Sequence, residues 1–114
     1  MRRGEVWWAS LAPPRGSEPG HRRPVVVVQA DAFNRSKIGT VMIAAITSDL
    51  SRAEAPGNVR LAKGTAGLSK SSVVNVAHVM TLNKEDLVAR IGQLSPEKMR
   101  EVDAGLRLSL DLAG

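Results

Sequence analysis

Apolar and polar positions along this chain change over in short blocks, the pattern of strands rather than of long helices. Residues 5 to 10 (Glu-Val-Trp-Trp-Ala-Ser) read as a first strand. Strand alternation sends Trp7 and Trp8 to opposite faces, one into a core and one toward an interface or a stacked base. Residues 12 to 23 form a loop rich in proline, glycine and arginine; residues 24 to 30, with four successive valines, read as a buried strand. Asn34 to Gly39 is a turn, and residues 40 to 48 are a second buried strand. After a polar loop at 49 to 57 come two weaker strands, Val59 to Ala62 and Ser72 to Val76, separated by a glycine-rich turn. Asn83 is placed to cap a short helix at 84 to 88, and Arg90 to Gln93 returns as a strand. Ser95 suits a helix N-cap and Pro96 the first helical position. Met99, Val102, Leu106, Leu110 and Ala113 then form an apolar helical stripe. Gly105 inside it weakens the helix by roughly 1 kcal/mol relative to alanine. The prediction is a mainly β (α+β) domain spanning 1–114, a small antiparallel barrel or curled sheet with a C-terminal helix and one or two short helices.

Composition narrows the function classes. The 114 residues contain no cysteine, which removes disulfides and thiolate zinc sites and fits a reducing, cytoplasmic location. No apolar run follows the basic start Met1-Arg2-Arg3, and none approaches membrane-spanning length, so neither a signal peptide nor a membrane association is expected. The net charge of +5 is uneven: residues 1 to 63 hold ten Lys/Arg and five Asp/Glu, whereas residues 64 to 114 hold six of each. A basic face of that kind attracts phosphates or an acidic protein tail.

Several chemistries are missing. The acids are scattered, with no ligand-like spacing for Mg²⁺, and no phosphate loop is present, so no cofactor is expected. His21 and His78 are the two histidines; His78 follows a strand-like run and reads equally well as structural, while His21 is better placed to bind than to transfer protons. With no tyrosine and one phenylalanine, a broad aromatic platform is not available.

The densest chemistry lies in Pro13 to Pro24, where Arg15, Arg22, Arg23, His21 and Ser17 stand at the entrance to a buried strand. Guanidinium groups there can grip phosphates in a forked geometry. Arg3-Gly4-Glu5-Val6-Trp7-Trp8, Gly16-Ser17-Glu18, Arg23-Pro24-Val25-Val26-Val27-Val28 and Ile43-Ala44-Ala45-Ile46-Thr47-Ser48 resemble, in order and spacing, the MazF/PemK toxin family. Ser72-Val73-Val74-Asn75, Thr81-Leu82 and Val102-Asp103-Ala104-Gly105-Leu106 resemble its later half. The likeness implies an SH3-like barrel, a homodimer, sequence-selective cleavage of single-stranded RNA, and neutralisation by a MazE-like antitoxin with an acidic flexible segment. It implies catalytic roles for Arg23, Thr47 and Ser17. RNA-binding roles are expected for Arg3, Arg15, Glu18, His21, Arg22, Ser48 and His78. Pro19, Ser10, His78 and Met80 depart from the family pattern, which bears on RNA sequence preference more than on chemistry.

The implied reaction is attack of a 2′-OH on the adjacent phosphorus, which DNA cannot undergo. Arg23 would neutralise the charge that develops, with Thr47 and Ser17 donating to phosphate oxygens. Arginine is a poor base, so Arg23, His21 and water all remain open as acceptors of the 2′-OH proton. Two rival functions are a non-catalytic CcdB-like toxin that binds a topoisomerase, and a nucleic-acid-binding module without cleavage.

Overall fold

The computed structural model describes residues 1–12 and 21–113. Six strands, β1 (Glu5–Ala12), β2 (His21–Val27), β3 (Thr40–Thr47), β4 (Val59–Leu61), β5 (Ser72–Asn83) and β6 (Leu87–Gln93), pair antiparallel in the order β4-β5-β3-β2-β1-β6. Two α-helices, α1 (Asp31–Asn34) and α2 (Pro96–Leu110), and short 3-10 turns at Leu50–Glu54, Thr65–Gly67 and Lys84–Asp86 complete the description. The sheet curls into a half-barrel with α2 packed on it, as the pattern of short strands and one late helix predicts. Among the described residues no helix is long and apolar enough to cross a membrane.

The valine run earns its place at the centre. Val25, Val26, Val27, Val41, Ile43 and Ala44 are all fully buried, because β2 and β3 carry packed side chains on both faces. One face joins Val6, Val26, Ala44, Ile46, Val74 and Val76 to Leu61 and to Val102 of α2. The other joins Ala9, Val25, Val27, Val41, Ile43 and Leu87, with Trp7, Met80 and Leu82 packed against them.

β5 serves both faces by means of a bulge. Ala45 lies opposite Asn75 but Ala44 lies opposite Val79, so residues 76 to 78 have no partner on β3. Three is an odd number, and the alternation therefore inverts. Val74 and Val76 enter the first core; beyond the bulge the odd-numbered Val79 faces that core, and Met80 and Leu82 face the second. Side chains satisfy the unpaired backbone: the Asn58 amide oxygen accepts from the Val76 N–H (2.9 Å), that of Asn75 accepts from the Ala77 N–H (3.1 Å), and the Ser109 hydroxyl donates to the Val76 carbonyl (3.2 Å).

Several boundaries differ from the sequence expectation. The strand expected at Ser72 to Val76 runs on to Asn83, because the bulge breaks the period on which the shorter reading relied. The loop expected over 12 to 23 loses both ends: Ala12 belongs to β1, and His21, Arg22 and Arg23 to β2. Asn83 is the last residue of β5 and makes no side-chain cap, and the expected helix at 84 to 88 is a single 3-10 turn after which β6 begins at Leu87. The turn at Asn34 begins inside a helical turn, α1, whose Asn34 exchanges hydrogen bonds with the buried Gln29. Helix α2 starts as expected, the Ser95 hydroxyl accepting from the Lys98 N–H (3.1 Å), but it ends at Leu110, with Asp111 left-handed at its cap. Ala113 therefore lies outside the helical stripe, and Leu110 is 55% exposed.

Glycines close the barrel where backbones touch. A Cβ on Gly92 of β6 would overlap the Ala66 carbonyl, and one on Gly67 would meet the Ile91 carbonyl at 2.7 Å, so the β4–β5 turn sits directly on β6. A Cβ on Gly105 of α2 would overlap the carbonyl of Gly57. Gly105 thus has a packing role that outweighs its poor helix propensity. Gly105→Ala, which in an ordinary helix stabilises by roughly 1 kcal/mol, is expected here to destabilise by on the order of 1–3 kcal/mol. Urea unfolding monitored by circular dichroism decides the sign.

A second prediction concerns Glu5, which is 8% exposed. Its carboxylate accepts from the Arg2 N–H (3.0 Å) and the Trp7 indole N–H (3.0 Å) and pairs with Arg90 (3.2 Å). Burial pushes its pKa up, but the Trp7 and Arg2 hydrogen bonds and the Arg90 charge together outweigh it and hold the carboxyl below its usual range. A depressed folded pKa gives stability that is complete above the unfolded value of ~4.3 and lost as pH falls through the folded value. Glu5→Gln is expected to unfold more easily than the parent near neutral pH, with the gap narrowing in acid. A gap independent of pH would contradict this account of Glu5.

Candidate active site

β2 and β3 end side by side, and their register decides which polar groups meet. Val25 lies opposite Ala45. Continuing that antiparallel register by two residues sets Arg23 across from Thr47 on one face of the sheet, the face that carries Val25 and Ala45. On the far side of β2, Arg23 lies opposite Ala9 and Arg22 opposite Ser10. Thr47 is half-buried, and its hydroxyl oxygen accepts from the Asp49 N–H (3.1 Å). That bond occupies a lone pair and keeps the O–H as a donor. Asp49 is fixed in turn: its carboxylate accepts from the Ser51 hydroxyl (2.6 Å) and N–H (3.1 Å), and these bonds hold its pKa below the usual carboxylate range.

The neighbouring positions, by the same alternation, belong to the opposite face. A cavity of about 490 Å³ opens at the strand ends, reached by residues of both parities there, Arg23 among them. Trp8 of β1, His21 to Pro24 of β2, and Ile46 of β3 with Ser48 just beyond it line one side; Leu68, Ser69 and Lys70 of the β4–β5 turn, Ser72 at the start of β5, and Ile91 of β6 line the other. Ile46 and Leu68 are buried and give it an apolar floor, while His21, Arg22, Arg23, Ser48, Ser69 and Lys70 are exposed around it. Trp8 is the tryptophan left for an interface, 39% exposed; Trp7 turns to the second core and to Glu5.

Of the residues singled out in the sequence, His21, Arg22, Arg23 and Ser48 come together at this cavity; Thr47 does not line it and stands one residue before Ser48 at the end of β3. Arg15, Ser17 and Glu18 lie outside the described residues. His78 is exposed in the β5 bulge and does not line the cavity. Arg3 is elsewhere as well: its Nε donates to the Val28 carbonyl (2.8 Å), its guanidinium pairs with Asp103 of α2 (2.7 Å), and its backbone N–H donates to Asp31 (2.7 Å). That last bond, followed by one from Asn34, lowers the Asp31 pKa. Strand alternation separates Trp8 from Trp7 without saying which of them faces outward, and Ser69, Lys70 and Ser72 carry no signal in the sequence, because only the folded turn brings them to this cavity.

Comparisons with known proteins agree on one group. The family model of PemK-like, MazF-like toxins of type II toxin–antitoxin systems matches residues 2–110. Endoribonuclease MazF6 of Mycobacterium tuberculosis is 51% identical over 112 residues, 98% of this chain and 98% of that protein, and endoribonuclease MazF2 of Mycobacterium bovis is equally similar. Among solved structures, a mycobacterial endoribonuclease in complex with its cognate antitoxin superposes with a TM-score of 0.82 at 23% identity, covering 100% of this chain and 98% of that one. MazE–MazF from Deinococcus radiodurans (Form-II) gives 0.80 at 25% identity, covering 99% and 97%.

The bonds of Arg3 yield a prediction of their own. Arg3→Ala removes the partners of both Val28 and Asp103, and should lower stability by on the order of 1–3 kcal/mol. Arg3→Lys should recover part of the loss, because an ammonium cannot reproduce both N–H directions. Denaturant midpoints test this, and an unchanged midpoint for Arg3→Ala would show that the ion pair contributes nothing.

Proposed function

The chain belongs to the family of PemK-like, MazF-like toxins of type II toxin–antitoxin systems and is an endoribonuclease; on that premise we propose that Arg23 and Thr47 cut single-stranded RNA without a metal ion. The observation that supports this reading is the β2–β3 register, Val25 opposite Ala45, whose continuation by two residues brings Arg23 and Thr47 to neighbouring strand ends, with Arg23 lining a basic cavity.

In this reading the scissile phosphodiester lies between the two side chains. The 2′-oxygen attacks phosphorus, the bond from phosphorus to the 5′-oxygen breaks, and the products are a 2′,3′-cyclic phosphate and a 5′-OH. Negative charge builds on the phosphoryl oxygens as the attack proceeds. Arg23 meets that charge with a fixed positive group, and Thr47 donates a hydrogen bond, anchored from behind by Asp49. Ser17 supplies a further donor. His21, lining the same cavity two residues before Arg23, stands within the group that handles the 2′-OH proton and the RNA backbone. The chain works as a homodimer, and an antitoxin silences it by laying an acidic, flexible segment over the basic surface. The charge excess within residues 1 to 63 supports that partner chemistry.

The test is incubation of the protein with single-stranded RNA in EDTA, beside Arg23→Ala, Thr47→Ala and an all-DNA copy of the substrate. The parent should cut the RNA and leave cyclic phosphate ends, and the DNA should survive. Each variant should lose on the order of 10²-fold or more in rate. Cleavage that requires added Mg²⁺, or Arg23→Ala cutting at the parent rate, refutes the reading.

A further inference from the structure

We propose that the cavity beside the Arg23–Thr47 pair is a base-selecting subsite: it takes one nucleobase of the RNA next to the cut, stacked on Trp8, with Lys70 on the adjoining phosphate. This rests on the endoribonuclease reading and gives Trp8 and Lys70 roles that the proposed cleavage chemistry does not assign.

The cavity combines three features that match a nucleotide. Trp8 offers a flat aromatic surface in the middle of a three-strand run, opposite Pro24 on β2 and Ala89 on β6, where rigid neighbours hold its backbone. Ile46, Leu68 and Ile91 give an apolar floor. Arg22 and Lys70 bring positive charge from two separate elements, and Ser48 and Ser69 bring hydroxyls able to meet a base edge. The Lys70 side is preorganised. The buried Ser72 hydroxyl donates to the Lys70 carbonyl (3.0 Å), and Gly67, seated on the Ile91 carbonyl, fixes the same turn to β6.

Location favours RNA over an acidic protein segment. Arg23 itself lines the cavity, and Ser48 lines it one residue after Thr47, so a nucleotide flanking a phosphodiester held by Arg23 has this opening within reach. One base, not a run, is expected. Trp7 is committed to the second core and to Glu5, tyrosine is absent, and the sole phenylalanine, Phe33, lies in α1.

The probe is an RNA oligonucleotide made uncleavable by a 2′-deoxy sugar at the cut, titrated by fluorescence anisotropy. Trp8→Ala should weaken binding by about tenfold or more, and Trp8→Phe should retain most of it. Lys70→Ala should lower the slope of log affinity against log salt by about 0.7, the loss of one single-strand phosphate contact. With cleavable RNA of mixed sequence, Trp8→Ala should raise KM more than it lowers kcat and relax the base preference at one position beside the cut. Binding by both alanine variants within about twofold of the parent, well under a stacking contribution, overturns the subsite. So does an unchanged base preference, or a loss confined to an acidic antitoxin segment. Failure of the parent to cut RNA would sink the endoribonuclease mechanism instead, while the uncleavable oligonucleotide still reports on the cavity.

Discussion

The pairing of Val25, Val26 and Val27 with Ala45, Ala44 and Ile43 is the constraint on which the rest of the molecule turns. Both strands are packed on both faces, so a slip of one residue would drive every side chain into the wrong core. The register is therefore held by hydrophobic burial, a force with no interest in chemistry. Its extension by two residues nevertheless determines which polar groups face each other at the strand ends. Arg23 and Thr47, distant in the chain, are brought to neighbouring strand ends by the pairing of six buried residues.

The same economy governs the cavity. Its apolar floor is the continuation of the first core, through Ile46 and Leu68, up to the surface. Its cations are placed by strand ends and by one turn. That turn is held by glycines which admit direct backbone contact, Gly67 and Gly92, and by the Ser72 hydroxyl. Arg3, a residue of the same charge, is spent differently: Val28 and Asp103 bind it into the join between the first strand and the last helix.

Much of this was legible in the sequence because the signals were local. The valine run, the Ser95-Pro96 start and the alternation of Trp7 and Trp8 each rest on neighbours in the chain, and each corresponds to an observed element or face. What escaped depends on contacts between distant residues. Gly105 reads as a helix defect until Gly57 is seen against it. The second half of β5 was lost because the odd bulge at 76 to 78 inverts its pattern. Lys70 belongs to no motif, and the bonds of Arg3 to Val28 and Asp103 join residues 25 and 100 positions away. Arg15, Ser17 and Glu18, which stand out by loop composition or by motif, lie outside the described residues.

The bend in β5 bears on how the molecule loosens. The Val76 carbonyl takes its hydrogen bond from the Ser109 hydroxyl, and the Gly105 backbone packs against the Val76 side chain, so the last helix closes on the point where β5 changes faces. One docking contact thus supports both halves of β5 and, through them, the wall that the two cores share. Fraying of that helix would slacken both cores together rather than one.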